Sequence, residues 1–206
     1  MGRMRQFDID EALDRATREF WEKGYTSTTL DDLTEAMGIK RPSLYRVFGN
    51  KEALFARVVE HFEGTYLTFV GEALAGETAG LIIRRLLEET VNACFGTGTP
   101  RGSLLAHGAP AGSPGDEGVR LLLAERIEAY ERMLAASLVQ SQAGGTGPSG
   151  GDCGLAASFL ITHCCGIALR AKAGVSHDKL LAEVDFVIGA LGSGTVEALM
   201  QGHKTE

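Results

Sequence analysis

Apolar residues recur at three- and four-residue spacings along most of the chain, and no stretch shows the strict alternation of a half-buried strand. That periodicity predicts an all-α protein. The run from Thr28 to Phe55, TTLDDLTEAMGIKRPSLYRVFGNKEALF, reads as two short helices around a glycine turn, followed by the start of another. Thr29 suits the cap of the first, with Asp32 three residues on, and Gly38 supplies the left-handed residue that ends it. Pro42 suits the first turn of the next helix, about Arg41 to Phe48, because its missing N–H is not needed there. Gly49 ends that helix, and Asn50 caps the following one with Glu52 in its positive first turn.

In the second short helix Leu44 and Phe48 lie four apart and form an inward stripe, which turns Arg41, Ser43, Tyr45, Arg46 and Val47 outward, with Lys40 just ahead and Lys51 just after. A cationic, hydroxyl-bearing face on a short helix suits the DNA major groove, where Arg reads guanine edges and Ser, Tyr and Lys bond phosphates. Val47 there would touch a thymine methyl. By spacing alone the same face equally fits an ordinary solvated helix with Tyr45 half-packed on its neighbour.

Later segments continue the helical pattern. A helix over about Lys51 to Leu74 takes its apolar face from Leu54, Phe55, Val58, Val59, Phe62, Tyr66 and Phe69. Another covers about Ala79 to Cys94, a short piece lies near Ser103 to Ala109, and GAPAGSPGDEG reads as a loop. A helix follows over about Glu117 to Ser141, and AGGTGPSGGD, residues 143–152, reads as a flexible linker. Two long apolar helices close the chain, about 152–173 and 176–200. The first mixes Leu155, Phe159, Leu160, Ile167 and Leu169 with many small residues, and the second carries Leu180, Leu181, Val184, Val187, Ile188, Leu191, Val196 and Leu199. Such helices need more cover than one copy of the chain is expected to give.

The x-P-S-L-Y-x-x-F core, the G-N-K-E-A-L-F entry to the next helix, the threonines before DLTEAMGI and a first helix ending FWEKGY together resemble the N-terminal domain of the TetR family of bacterial transcriptional regulators. The resemblance covers the first quarter to third of the chain. One departure is Thr34, where helix-turn-helix motifs often place Ala so that the helices cross closely. The resemblance implies a DNA-binding domain over residues 1–55, with its helix-turn-helix at about 29–48, and an all-helical ligand-sensing and dimerisation domain over 56–206. It implies that Thr29 contacts phosphate, that Arg41, Pro42, Ser43, Tyr45 and Arg46 face the groove with Lys40 beside them, and that Lys51 holds the backbone. Arg41 and Arg46 are the expected base readers.

The same resemblance implies a homodimer through the last two helices, a palindromic double-stranded DNA operator, and an unidentified small-molecule effector, repression being the family's usual mode. Candidate pocket walls are Phe62, Phe69, Phe95, Leu105, His107, Tyr130, Met133, Phe159 and His163, each of which also fits simple core packing. The segment RGSLLAHGA resembles an R-G-C-L-L pattern found in a subset of the family, some of whose members sense electrophiles or oxidants at that cysteine. Ser103 stands there in this chain, so that switch is absent at that site.

Charge first argues against a polyanionic partner, since 206 residues carry a net −7. Splitting it changes the picture. Residues 1–55 hold 9 Lys/Arg against 10 Asp/Glu, or −1, and the remainder 11 against 17, or −6. Within the first segment the acids crowd onto the first helix and onto Asp31 and Asp32, which places the bases on the reading face and the acids on the far one. Arg3 and Arg5 form a basic arm that either reaches DNA or stays solvated. No apolar run is expected to approach the roughly 20 residues of a bilayer span, and MGRMRQFDID lacks a signal-peptide core. The protein is expected in the cytoplasm, without membrane contact.

Adjacent Cys164 and Cys165 after His163 point about 100° apart on a helix and do not close a tetrahedral site, and no C-x-x-C spacing occurs. Cys94, Cys153, Cys164 and Cys165 therefore read as small hydrophobes, with thiol sensing as the alternative. The histidines are scattered, and no phosphate loop or catalytic motif is present, so neither a metal, a cofactor nor an enzyme is expected. A helical adaptor that binds protein rather than DNA is the remaining alternative.

Overall fold

A computed structural model of the chain describes residues 7–107, 116–143 and 152–192. These form ten helices and, among the described residues, no strand, as the periodicity predicts. The basic arm at Arg3 and Arg5, most of the two Gly-rich connections, and Val196 and Leu199 lie outside the described residues. The chain divides into two compact units, one of Met1–Leu67 with Ser103–Glu125, the other of Thr68–Gly102 with Arg126–Glu206.

The first unit is built on α1 (Ile9–Lys23) and α4 (Lys51–Tyr66), which pack along each other. Asp8 caps α1 by accepting from the amides of Asp10 and Glu11, and Gly24 ends it at a φ of 77°. Two aromatic clusters then fasten α1 to α4. Phe20 meets Phe55 edge-on at 5.0 Å, and Tyr25 completes that group at 5.0 Å from Phe55. Two turns further along α4, Trp21 packs against Phe62 at 4.9 Å and Tyr66 at 5.1 Å. Phe20, Trp21, Phe55 and Phe62 are all fully buried, so this is the core of the unit.

Helices α2 (Leu30–Met37) and α3 (Arg41–Phe48) are held between these two. Thr29 and Asp32 form a reciprocal capping box at the start of α2, and Gly38 ends it in the left-handed region at φ 66°, ψ 29°. Leu33 and Met37, with Leu44 and Phe48, turn inward. Pro42 falls in the first turn of α3, where it forfeits no hydrogen bond. The short α7 (Leu104–His107) packs on α1 and α4, and a His107 Nε2 sits 3.2 Å from the Trp21 carbonyl oxygen.

One expected boundary is corrected. The helix beginning at Lys51 stops at Tyr66, not near Leu74, and Phe69–Leu74 forms a separate α5. Leu67 leaves the helical region at φ −114°, ψ 19°. The local cause is the sequence GTYLT, where glycine and β-branched threonines carry low helix propensity.

In the second unit α6 (Ala79–Ala93) packs against α5, α9 (Cys153–Lys172) and α10 (His177–Gly192), and the latter part of α8 (Glu117–Ala143) belongs here. Asp152 caps α9 and Arg170 pairs with Glu183 of α10. Arg84 of α6 reaches Asp185 at 3.1 Å. A second expectation is also corrected: α9 has 20 residues, with a mean hydropathy of 1.4 over an 18-residue stretch, long and apolar enough by composition to cross a bilayer. Counting large apolar residues understates it, because Cys153, Cys164, Cys165 and its several alanines add hydropathy without bulk.

At the far end of the first unit, Asp14 accepts from the Tyr66 hydroxyl at 2.6 Å and from Arg18 Nε at 2.8 Å, with His61 Nε2 at 3.5 Å. Burial opposes its charge, but these three partners outweigh that and hold its carboxyl below the ordinary carboxylate range. A depressed folded-state pKa stabilises above the unfolded value, about 4, and that contribution is lost as pH falls below it. Asp14→Asn is therefore expected to lower stability at pH 7 and to flatten its decline between about pH 5 and 3, as read by urea titrations across that range. An unchanged acid limb would remove Asp14 from the cause.

Candidate nucleic-acid interface

The capping box and the left-handed Gly38 fix where α2 ends and α3 begins, and so set which residues of α3 face outward. With Leu44 and Phe48 buried, Lys40, Arg41, Pro42, Tyr45 and Arg46 are exposed on a face without an acidic residue of its own helix, while Ser43 is half-buried. Tyr45 is 50% exposed, too open to be an interior aromatic. That half exposure fits both the groove-facing reading and a Tyr45 half-packed on its neighbour.

Four details depart from the linear reading. Val47 is half-buried instead of outward, and its carbonyl accepts from Arg57 Nη1 at 3.3 Å. Arg57 also lies 4.7 Å from the Phe48 ring centre, so a cation on α4 closes the negative C-terminal end of α3. No pattern within α3 signals this partner, ten residues downstream. Thr29 is exposed, yet its hydroxyl donates to Asp32 Oδ2 at 2.5 Å while accepting the Asp32 amide, so its proton is already engaged.

The third departure concerns charge. Asp31 does not lie on a far face: its Oδ1 accepts from Arg41 Nη2 at 2.8 Å and Nε at 3.1 Å. Asp32, by contrast, is turned to the capping box and to Lys23 Nζ at 2.7 Å, and these bonds hold its carboxyl well below the usual range. Finally, Lys51 is half-buried with its ammonium 4.3 Å above the Tyr25 ring. Burial lowers its pKa, against the pull of Asp116 and Asp32.

Residues 12–58 match the family profile of bacterial regulatory proteins of the tetR family. Across most of its length the chain is similar to the HTH-type transcriptional repressor ComR of Escherichia coli (strain K12), at 33% identity over 87% of each chain. The HTH-type transcriptional repressor BdcR of the same organism is 25% identical over 88% of this chain and 87% of its own. Among solved structures, a cysteine mutant of the TetR family transcriptional regulator CifR, complexed with 26 bp double-strand operator DNA, aligns with a TM-score of 0.87 at 36% identity over 92% of this chain and 99% of its own. The chain belongs to the TetR family and is a DNA-binding regulator of transcription.

The nine candidate pocket residues divide between the two units. In the first, Phe62 and Leu105 are buried core and His107 is bonded to the α1 backbone. In the second, Phe69 and Tyr130 are half-buried, Met133 and Phe159 are exposed, and Phe95 packs edge-on to His177 at 5.3 Å. His163 lies parallel to Phe159 at 6.4 Å between ring centres, and burial lowers its pKa.

Among the described residues no group of three or more His, Cys, Asp or Glu has a metal-binding arrangement. All four cysteines are free. Burial pushes the Cys94 and Cys164 thiols up to about 12, and Cys165 is raised by the same cause. A thiol with that pKa is about one part in ten thousand thiolate at pH 8. Iodoacetamide at pH 8 is accordingly expected to leave Cys94 and Cys164 unlabelled in the native protein and to label them after unfolding, read by peptide mass spectrometry. Rapid native labelling of either would reverse this assignment.

Proposed function

We propose that the protein is a ligand-responsive repressor that binds a palindromic operator as a homodimer and leaves it when a small molecule occupies the helical second unit. The observation that carries the DNA-reading part is the outward face of α3, where Lys40, Arg41, Tyr45 and Arg46 are exposed over a core of Leu44 and Phe48. The repressor names of its relatives and the operator complex of CifR support the same reading. Arg41 and Arg46 read base edges, Ser43 takes a base or phosphate, and Tyr45 and Lys51 set the position on the backbone, as does Thr29 once its hydroxyl exchanges Asp32 for a phosphate.

Dimer formation is supported by an unfilled seam on α9. Leu155, Phe159, Thr162, Gly166 and Leu169 follow alternating four- and three-residue steps, the spacing of a helix that packs lengthwise on another. Leu155 is 61% exposed, and a Cβ added at Gly166 would meet nothing. On α10, Phe186 is 77% exposed and Gly189 is equally open. Paired helices from two copies would cover this surface and set two reading helices about one DNA turn, roughly 34 Å, apart. The apolar length of α9 then serves a bundle between copies. An effector acts by favouring one head separation, to the extent of its differential affinity for the two states.

Gel-shift titration against DNA upstream of the protein's own gene tests the reading. Wild type is expected to show salt-sensitive, sequence-selective binding, and Arg41→Ala with Arg46→Ala to weaken it at least ~30-fold, since each good bidentate Arg–guanine contact contributes about 1–3 kcal/mol. Selective binding that survives both substitutions would reject α3 as the reader. Phe186→Glu is expected to convert a dimer to a monomer in analytical ultracentrifugation at micromolar protein. A dimer indifferent to that change must pair through another surface.

A further inference from the structure

We propose that Asp31 is a specificity-determining residue of the reading head: by holding Arg41 across the α2–α3 turn and opposing phosphates, it penalises DNA that offers Arg41 no base contact. This rests on the DNA-reading role proposed above. Asp31 occupies the first turn of α2 and Arg41 begins α3. Both Nε and Nη2 of the guanidinium converge on Asp31 Oδ1, at 3.1 and 2.8 Å.

The neighbouring acid shows why Asp31 is distinctive. Asp32 is committed to folding, since it closes the capping box with Thr29 and receives Lys23. The Asp31 carboxylate has no part in that cap. Its side chain is 78% exposed and that of Arg41 is 52% exposed, so the pair lies on the outward surface of the motif. At the start of α3, Lys40, Arg41 and the helix N-terminus concentrate positive charge, a combination that attracts any phosphate regardless of sequence. A carboxylate placed there is the nearest intramolecular substitute for a phosphate.

The consequence differs between two kinds of DNA. On non-specific DNA, Arg41 would have to exchange Asp31 for a phosphate while the carboxylate faces the polyanion, so the net gain is small. On the operator, a guanine offers two acceptors in a fixed plane, and a guanidinium already oriented by Asp31 reaches them with less lost freedom. The pair therefore lowers non-specific binding more than specific binding. Exposed ion pairs contribute little to stability, which leaves this effect on DNA choice as its main role.

The test uses full-length wild type, Asp31→Asn, Asp31→Glu, Arg41→Ala and the double variant Asp31→Asn with Arg41→Ala, all checked for unchanged helix content. Kd is measured from 50 to 200 mM salt on a duplex selected by the wild-type protein from a random-sequence library, and on a scrambled duplex of the same length. Asp31→Asn is expected to tighten binding to the scrambled duplex about threefold to tenfold, to steepen its log–log salt slope by about one as Arg41 gains a phosphate, and to lower the specificity ratio. Asp31→Glu is expected to keep the ratio near wild type, and Arg41→Ala to abolish the effect of Asp31→Asn. An equal gain on both duplexes, or no change on either, would overturn the role of Asp31 while leaving the DNA-reading role intact. Failure of wild type to select any sequence would overturn both.

Discussion

The constraint on which the reading head depends is the aromatic fastening of α1 to α4. Helices α2 and α3 have eight residues each, too few to persist alone in water. Their geometry is borrowed. Leu33, Met37, Leu44 and Phe48 settle on a framework whose fixed points are Phe20 against Phe55 and Trp21 against Phe62. Each buried aromatic also contributes a large apolar area, so a few side chains set the positions of both short helices. The outward direction of α3 is thus a consequence of residues that never meet solvent.

Electrostatics then sets the charge that this outward face presents. The chain is acidic overall, yet acids near the head are largely committed to local tasks: Asp8 caps α1, Asp32 closes the box on α2 and takes Lys23, and Asp14 accepts Tyr66 and Arg18. Glu11 pairs with Arg15 within α1. Bonds of these kinds neutralise charge where it is made, and α3 itself carries no acid. A net charge describes solubility and long-range approach, whereas the local field at α3 is what a nearby phosphate meets.

Local signals were legible in the sequence because their partners lie within a few residues. Thr29 with Asp32, Gly38, Pro42 and Asn50 each announce a boundary that the backbone adopts. The match of PSLYRVF and GNKEALF to a known family spoke to what spacing alone left open, implying the groove as the proposed destination of that face. Arg57 under Phe48 and Asp31 beside Arg41 were not legible, since each bridges two helices and depends on their crossing. The stop at Tyr66 depended on weak propensities over GTYLT, which a strong apolar periodicity on both sides concealed. Pocket residues were least legible of all. An aromatic at helical spacing looks the same whether it closes the Trp21 cluster, as Phe62 does, or lies exposed, as Phe159 does.

Helix α4 gives the proposed effector response a physical route within the first unit. Its early turns carry Lys51 and Arg57, which touch Tyr25 and the end of α3. Its last turns carry His61, Phe62 and Tyr66, which engage Asp14 and Trp21 of α1. A close-packed contact does not deform continuously, so displacing the Tyr66 end relative to α1 either breaks the Tyr66–Asp14 bond and reseats Trp21 or moves the helix as one body. In the second case Arg57 travels with it and α3 must follow or lose its cap. Complete switching between two populations needs a differential affinity of about 5.5 kcal/mol. The single half-buried Tyr66–Asp14 hydrogen bond is too weak to set such a gap, whereas reseating two buried aromatics is of the right size. The aromatic fastening holds the head and, under the proposed effector response, would also set the threshold that an effector must exceed.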